Sequence, residues 1–237
     1  MSISILTLAE YSALAYESLD TVKAALPDAE VILIDHEDSQ AYVIETVDGT
    51  VVAFRGTQVT SGFSMTDIIR NAKIKPVPSR SGLSQTGKVH RGYKEAVDVI
   101  ADDLFRIMLD VRPPRHYTGH SLGGAMATFA RTFSPYPDMT VTFGSPKVGN
   151  REFVKAYSRH PLIRYVNCKD IAPKHPRPWL GYRHGGSLVR ISRSGALSHR
   201  PWTMWDELII PGIAGIVVGT FDHRVGEYVD KLRGAET

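Results

Sequence analysis

The sequence predicts an α/β protein whose mostly parallel central sheet is covered by helices on both faces. Three observations predict it. In the second half, short apolar runs at Val141–Phe143, Ile163–Val166 and Leu188–Ile191 alternate with helical-period segments. Those runs are predominantly apolar, as expected of strands buried on both sides. The repeated strand–helix rhythm favours parallel pairing over hairpins.

The elements follow in order. Leu6, Ala9, Ala13 and Tyr16 fall at helical spacing within residues 5–17. Val31–Ile34, Ala41–Val47 and Thr50–Arg55 read as short strands, the last two joined at Asp48-Gly49, a strong hairpin signal. Residues 58–88 are rich in Ser, Thr, Gly, Pro and Lys and read as a long surface excursion, a type of loop that is often functional. From Tyr93 onward, Ala96, Val97, Ile100, Leu104, Ile107 and Met108 predict one amphipathic helix ending before Pro113-Pro114. His116–Thr118 is a further short strand. Helices are expected over Leu122–Phe133, about residues 151–158, and 224–232.

Composition narrows the class. Of 237 residues, 43% are hydrophobic and 22% charged, which is ordinary globular usage and enough for a sizeable core. Disorder, collagen-like repeats and a disulfide scaffold are excluded. The lone Cys168 permits no intramolecular disulfide and no cysteine-based zinc cluster. Without repeats or a linker, residues 1–237 read as a single domain. The N-terminus lacks a basic n-region and does not read as a signal peptide. The longest charge-free apolar run, Leu208–Phe221, has 14 residues and is broken by Pro211 and three glycines. A spanning helix needs ~20. The expectation is therefore a protein without signal peptide or transmembrane segment, cytoplasmic by default, with non-classical export left open.

The net charge of +3 conceals an asymmetry. Residues 147–200 hold 12 Lys/Arg against 2 Asp/Glu. The first reading is a solvated basic face; the functional alternative is attraction to an anionic membrane surface. No nucleic-acid motif accompanies the charge, so nucleic acid is not an expected partner.

The sharpest chemical signal is Gly119-His120-Ser121-Leu122-Gly123-Gly124, between a strand and a helix. In a Gly-x-Ser-x-Gly elbow the serine occupies a strained turn that lifts its hydroxyl above the sheet edge. The hydroxyl becomes a nucleophile only when a base takes its proton. Chain order in this arrangement is serine, acid, histidine. Asp170, just beyond the strand Ile163–Val166, is the preferred acid, with Asp138 the weaker choice. Among five later histidines, His160, His175, His184 and His199 lie among Pro, Arg and Gly, where surface loops are the default. His223 stands at a loop-to-helix junction and is the preferred base. Phe54-Arg55-Gly56-Thr57 ends an early strand. There the Thr57 N–H is expected to join that of Leu122 as oxyanion donors.

These motifs, with Val89-His90-Arg91-Gly92-Tyr93, Thr142-Phe143-Gly144-Ser145-Pro146-Lys147-Val148-Gly149-Asn150, Asn167/Asp170/Pro173 and Asp222-His223, resemble the class 3 lipase family, the fungal-lipase-like α/β-hydrolases. The resemblance spans about residues 40–232. It implies an α/β-hydrolase fold, a Ser121–Asp170–His223 triad and an oxyanion hole of Thr57 and Leu122. It also implies that His90 and Tyr93 support the site rather than react; His120, beside the nucleophile, is placed with them. Fungal members carry a short lid helix after the oxyanion residue. The corresponding flap, about 58–72, keeps Phe63, Met65, Ile68 and Ile69, which either face an oily interface or pack onto the core. Secreted fungal relatives carry disulfides, and this chain cannot.

The expected function is a serine carboxylic-ester hydrolase acting on acylglycerols or related lipid esters, without metal or organic cofactor. The alternative is a phospholipase or galactolipase acting on anionic or polar membrane lipids. A reading from another class is a catalytically silent lipid-binding module. Partners are then a lipid or small ester and a lipid–water interface. Oligomeric state is not readable.

Overall fold

The computed structural model describes residues 3–56, 74–79, 87–133, 137–201 and 219–236. The flap at 58–72, with Phe63, Met65, Ile68 and Ile69, and the oxyanion candidate Thr57 lie outside the described residues, as does most of the Leu208–Phe221 run.

Two serine-capped helices open the chain. The Ser4 and Ser18 hydroxyls accept from the N–H of Thr7 and Thr21, satisfying one orphan donor each at the starts of α1 (Ile5–Leu14) and α2 (Leu19–Ala25). The second of these helices was not expected from the sequence. β1 (Glu30–His36), β2 (Ser39–Thr46) and β3 (Gly49–Phe54) then form an antiparallel meander. The β2–β3 turn comes one residue earlier than expected: Gly49 already pairs with Thr46, leaving Val47 and Asp48 at the tip.

From β3 onward the sheet is parallel. β6 (Arg115–His120) pairs with β3, β7 (Met139–Phe143) with β6, β8 (Leu162–Asn167) with β7, and β9 (Ser187–Ile191) with β8. β10 (Leu197–Ser198) closes the edge antiparallel, so the strand order is β1-β2-β3-β6-β7-β8-β9-β10. Part of the expected surface excursion is instead a small antiparallel ribbon, β4 (Pro76–Pro78) with β5 (Lys88–His90).

The segment expected as one helix after Tyr93 is two, α3 (Arg91–Asp98) and α4 (Ala101–Asp110). The break has a local cause. The Ile100 N–H bonds the Val97 carbonyl three residues back, tightening the turn, and Asp102 and Asp103 favour a new helix N-terminus. The apolar stripe survives the break, because Val97, Ile100, Leu104 and Met108 are all buried. The elbow helix α5 (Leu122–Ala130), α6 (Arg151–Ala156) and the closing helix α7 (Val225–Glu236) complete the described elements.

Each face of the sheet is covered. One layer joins Val52, Phe54 and Tyr117 to α3, α4, Phe129 of α5 and Phe153 of α6. The other joins Val51, Ala53, Val141 and Phe143 to Leu8 and Ala9 of α1 and to Tyr228, Val229 and Leu232 of α7. Successive residues of β3 thus enter opposite layers, the period of two expected of a strand buried on both sides. The expected covered, mostly parallel sheet is borne out.

The basic segment departs from expectation. Lys147, Arg164 and Lys174 are buried, so part of the charge counted over 147–200 is interior and does not belong to a solvated face.

Candidate active site

The site lies at the carboxyl ends of β6, β7 and β8, the edge where open α/β sheets present their chemistry. Ser121 follows β6 with φ 57° and ψ −126°, a conformation L-residues rarely adopt. The turn is held because the Ser121 N–H donates to the Phe143 carbonyl at 3.0 Å. The elbow glycines have a direct steric cause. A Cβ on Gly119 would lie 2.4 Å from the Gly123 carbonyl carbon, and one on Gly123 would lie 2.1 Å from the Phe54 carbonyl oxygen. Only glycine lets β6, α5 and β3 approach this closely.

The structure brings the three expected reactive groups together. His223 Nε2 lies 2.8 Å from Ser121 Oγ, and His223 Nδ1 lies 2.9 and 2.8 Å from the two Asp170 carboxylate oxygens. All three side chains are buried. A carboxylate only accepts, so Nδ1 carries the proton and Nε2 presents a lone pair to the serine hydroxyl. That tautomer is the one a general base requires. Asp138 is at the other end of the sheet, where its carboxylate accepts the Arg115 N–H at the start of β6.

Asp170 is fixed by two further donors. The Tyr228 hydroxyl donates to Oδ2 at 2.5 Å and the Ala172 N–H to Oδ1 at 2.8 Å. Tyr228 in turn accepts the Asn167 N–H at 3.0 Å. Burial and the adjacent Asp170 charge push the Tyr228 hydroxyl well above its ordinary range, so it stays a donor. Gly144, from the conspicuous 142–150 stretch, has φ 59°, and a Cβ there would lie 2.6 Å from Asp170 Oδ2 and 3.0 Å from His223 Nδ1. It makes room for the acid–base pair.

The backbone of His223 is also gripped. His120 Nε2 lies 2.5 Å from the His223 carbonyl oxygen, and His120 Nδ1 lies 2.9 Å from the Tyr16 hydroxyl. A carbonyl only accepts, so Nε2–H is the donor. Burial and the adjacent His223 hold His120 well below the usual histidine range, so the neutral ring accepts the Tyr16 O–H at Nδ1. Asn167 Nδ2 secures the neighbouring turn by donating to the Asp222 carbonyl at 2.9 Å.

His90 makes no contact with the triad. It is buried, stacks on Tyr93 with ring centroids 3.8 Å apart, and accepts the Tyr93 N–H as the N-cap of α3. His175 and His184 depart from the expected surface loops. Both are partly buried and bond the carbonyls of Ile171 and Pro173, stapling the segment that follows Asp170. Leu122 is the first residue of α5, so its N–H has no acceptor within the helix and is available at the site. Phe221, two residues before the base, is exposed with the Arg224 guanidinium 4.3 Å over its ring.

Sequence reasoning missed Tyr228, Tyr16 and Gly144. Gly144 sat inside a stretch already singled out, but the two tyrosines stood at ordinary core positions with nothing to mark them.

A parallel sheet with a serine elbow on its central strand, followed by an acid and a histidine, defines an α/β-hydrolase. The chain belongs to the class 3 lipase family, whose model, described as Lipase (class 3), matches residues 51–179. It is 31% identical over 127 residues to phospholipase A1-II 5 of Oryza sativa subsp. indica, covering 47% of this chain and 27% of that protein. It is 30% identical over 182 residues to a lipase of Rhizopus niveus, covering 68% of this chain and 44% of that one. The chain therefore spans less than half the length of these relatives. The structure of lipase II from Rhizopus niveus aligns with TM-score 0.72 at 22% identity, over 92% of this chain and 91% of that one, a likeness of fold.

Proposed function

We propose that this chain hydrolyses carboxylic esters of lipids through an acyl-enzyme on Ser121. The observation that carries the proposal is the buried, continuous hydrogen-bond chain Ser121–His223–Asp170. Ser121 Oγ attacks the ester carbonyl carbon while His223 Nε2 takes its proton. Asp170 orients the ring and stabilises its cationic form. The Leu122 N–H, and in this reading that of Thr57, receive the oxyanion. Collapse of the tetrahedral intermediate breaks the ester C–O bond, and the imidazolium gives its proton to the departing alkoxide. Water, deprotonated by the same imidazole, then attacks the acyl-enzyme and releases the carboxylic acid, restoring Ser121. The preserved hydrogen-bond chain weighs against a silent binding module.

The test is hydrolysis of p-nitrophenyl butyrate by the wild-type protein beside Ser121→Ala. Loss of the nucleophile is expected to cost on the order of 10⁴–10⁶ in turnover. Activity that survives in Ser121→Ala refutes the assignment. The phospholipase reading draws on the rice relative, which is named a phospholipase A1, and on the exposed Arg183, Arg193 and Arg200. Its check is hydrolysis of liposomes with and without anionic lipid. Equal rates on both would remove any role for surface charge.

A further inference from the structure

We propose that the small cavity bordered by the end of α5, the start of β8 and residues 183–185 is a binding site for one monovalent inorganic anion of halide size. The cavity measures about 10 Å³ and is lined by Thr128, Arg131, Gly149, Arg164, Arg183 and Gly185, among others. No Asp or Glu lines it.

Two guanidiniums are buried at this point, Arg131 at 2% and Arg164 at 6% exposure. Arg131 Nη1 donates to the carbonyls of Tyr157 and His160 at 3.0 and 2.9 Å. Arg164 Nε donates to the Gly185 carbonyl at 2.6 Å. The same Gly185 stands beside Arg131, since a Cβ built on it would lie 4.0 Å from Arg131 Nη2. Two like charges therefore flank one residue. Arg131 Nε and Arg164 Nη1 have no acceptor, and among the described residues neither side chain joins an ion pair.

A buried cation without a counter-charge is costly, and a guanidinium cannot escape the cost by losing its proton near neutral pH. Desolvation lowers both groups only to about 10, so both remain charged. The local field is positive enough that Arg164 and Lys147 both add to the depression of His184 below its ordinary range, after burial itself. A water molecule would satisfy the idle N–H groups and leave the charge uncompensated. A small anion does both. Size sets the class: the inner space holds one particle of about water's dimensions, which a halide matches better than sulfate, phosphate or a carboxylate.

The site is structural in consequence. Pro146, Val148 and Gly149 line the cavity. They belong to the loop that leaves Gly144, while β8 runs on to Asn167 and Asp170. An ion here ties the acid's strand to the loop that accommodates it.

The test is thermal unfolding of the wild-type protein as chloride or bromide replaces gluconate at constant ionic strength. A saturable rise of about 2–5 °C is expected with either halide. Replacing sulfate for gluconate should give no saturable component. Arg164→Met should weaken the halide half-saturation by more than about tenfold, the factor carried by one charge-assisted hydrogen bond. Because that variant removes a buried side chain on which folding itself can depend, a bromide-soaked wild-type crystal supplies the second readout. An anomalous peak between the two guanidiniums is expected. A melting temperature indifferent to halide, together with no anomalous peak, would assign the cavity to water and overturn the proposal.

Discussion

Replacing Ser121 by alanine and by glycine separates the chemistry of the elbow from its strain. Both variants lack the hydroxyl, so both lose the hydrogen bond to His223 Nε2 and both should be inactive. The variants differ only in the Cβ. At φ 57° and ψ −126° an L-residue pays ~1–3 kcal/mol, which glycine avoids. Against this, glycine gives the unfolded chain extra freedom worth ~0.4–1 kcal/mol. The balance leaves Ser121→Gly more stable than Ser121→Ala by about 1 kcal/mol. For a chain of this size that is a melting temperature ~2–4 °C higher. Thermal and urea unfolding followed by circular dichroism measure it. Equal stability, or a more stable alanine variant, would refute a strained elbow whatever the activities show.

Other perturbations address the groups around the reactive pair. Gly144→Ala should lower kcat by at least ~10² with the far-ultraviolet spectrum preserved, because its Cβ displaces the Asp170 carboxylate and misplaced groups lose that much. Tyr228→Phe should cost ~1–3 kcal/mol in urea unfolding, since it removes a donor to Asp170 and the acceptor of the Asn167 N–H. Acid should destabilise the fold through histidines that burial, full at His90 and partial at His175, keeps neutral. Burial lowers His90 and His175 to about 4, whereas in the unfolded chain each titrates near 6.5. Between these values the unfolded state binds more protons, so stability is intact above about pH 6.5 and falls as pH drops toward 4. For the fully buried His90 this amounts to at most ~2 kcal/mol at pH 5. A urea midpoint unchanged between pH 7.5 and 5 would contradict it.

What the sequence disclosed follows from how far each constraint reaches along the chain. The elbow was legible because the glycines that answer its steric demands fall within six residues, Gly119 to Gly124, even where the crowding atom is as distant in sequence as the Phe54 carbonyl. The meeting of Asp170 and His223 with Ser121 was legible through chain order and the elements they flank. The strands of the parallel sheet were legible because burial on both faces leaves an apolar run. Tyr16 and Tyr228 were not, because a tyrosine packed in a core and a tyrosine holding a catalytic group look alike until the third dimension joins residues 104 and 58 positions apart. The histidines at 175 and 184 were misread for a related reason. Proline and arginine around them suggested solvent, while the fold turned that segment back under the 145–150 loop, where the Lys147 N–H meets the His175 carbonyl. Charge counting failed likewise, since a count assigns no depth to Arg164.

The grip of Tyr16 and His120 on the backbone of His223 ties catalytic competence to the order in which the chain is made. Ser121 and Asp170 follow β6 and β8, and the histidine comes 53 positions after the acid. The turn that carries it leads into α7, which packs on α1 with the Arg233–Glu10 ion pair at 2.9 Å. On the proposed mechanism, a nascent chain therefore carries its nucleophile for 102 positions before the base that activates it is made. On that mechanism, a chain clipped before residue 223 keeps its serine and its aspartate and has no imidazole between them.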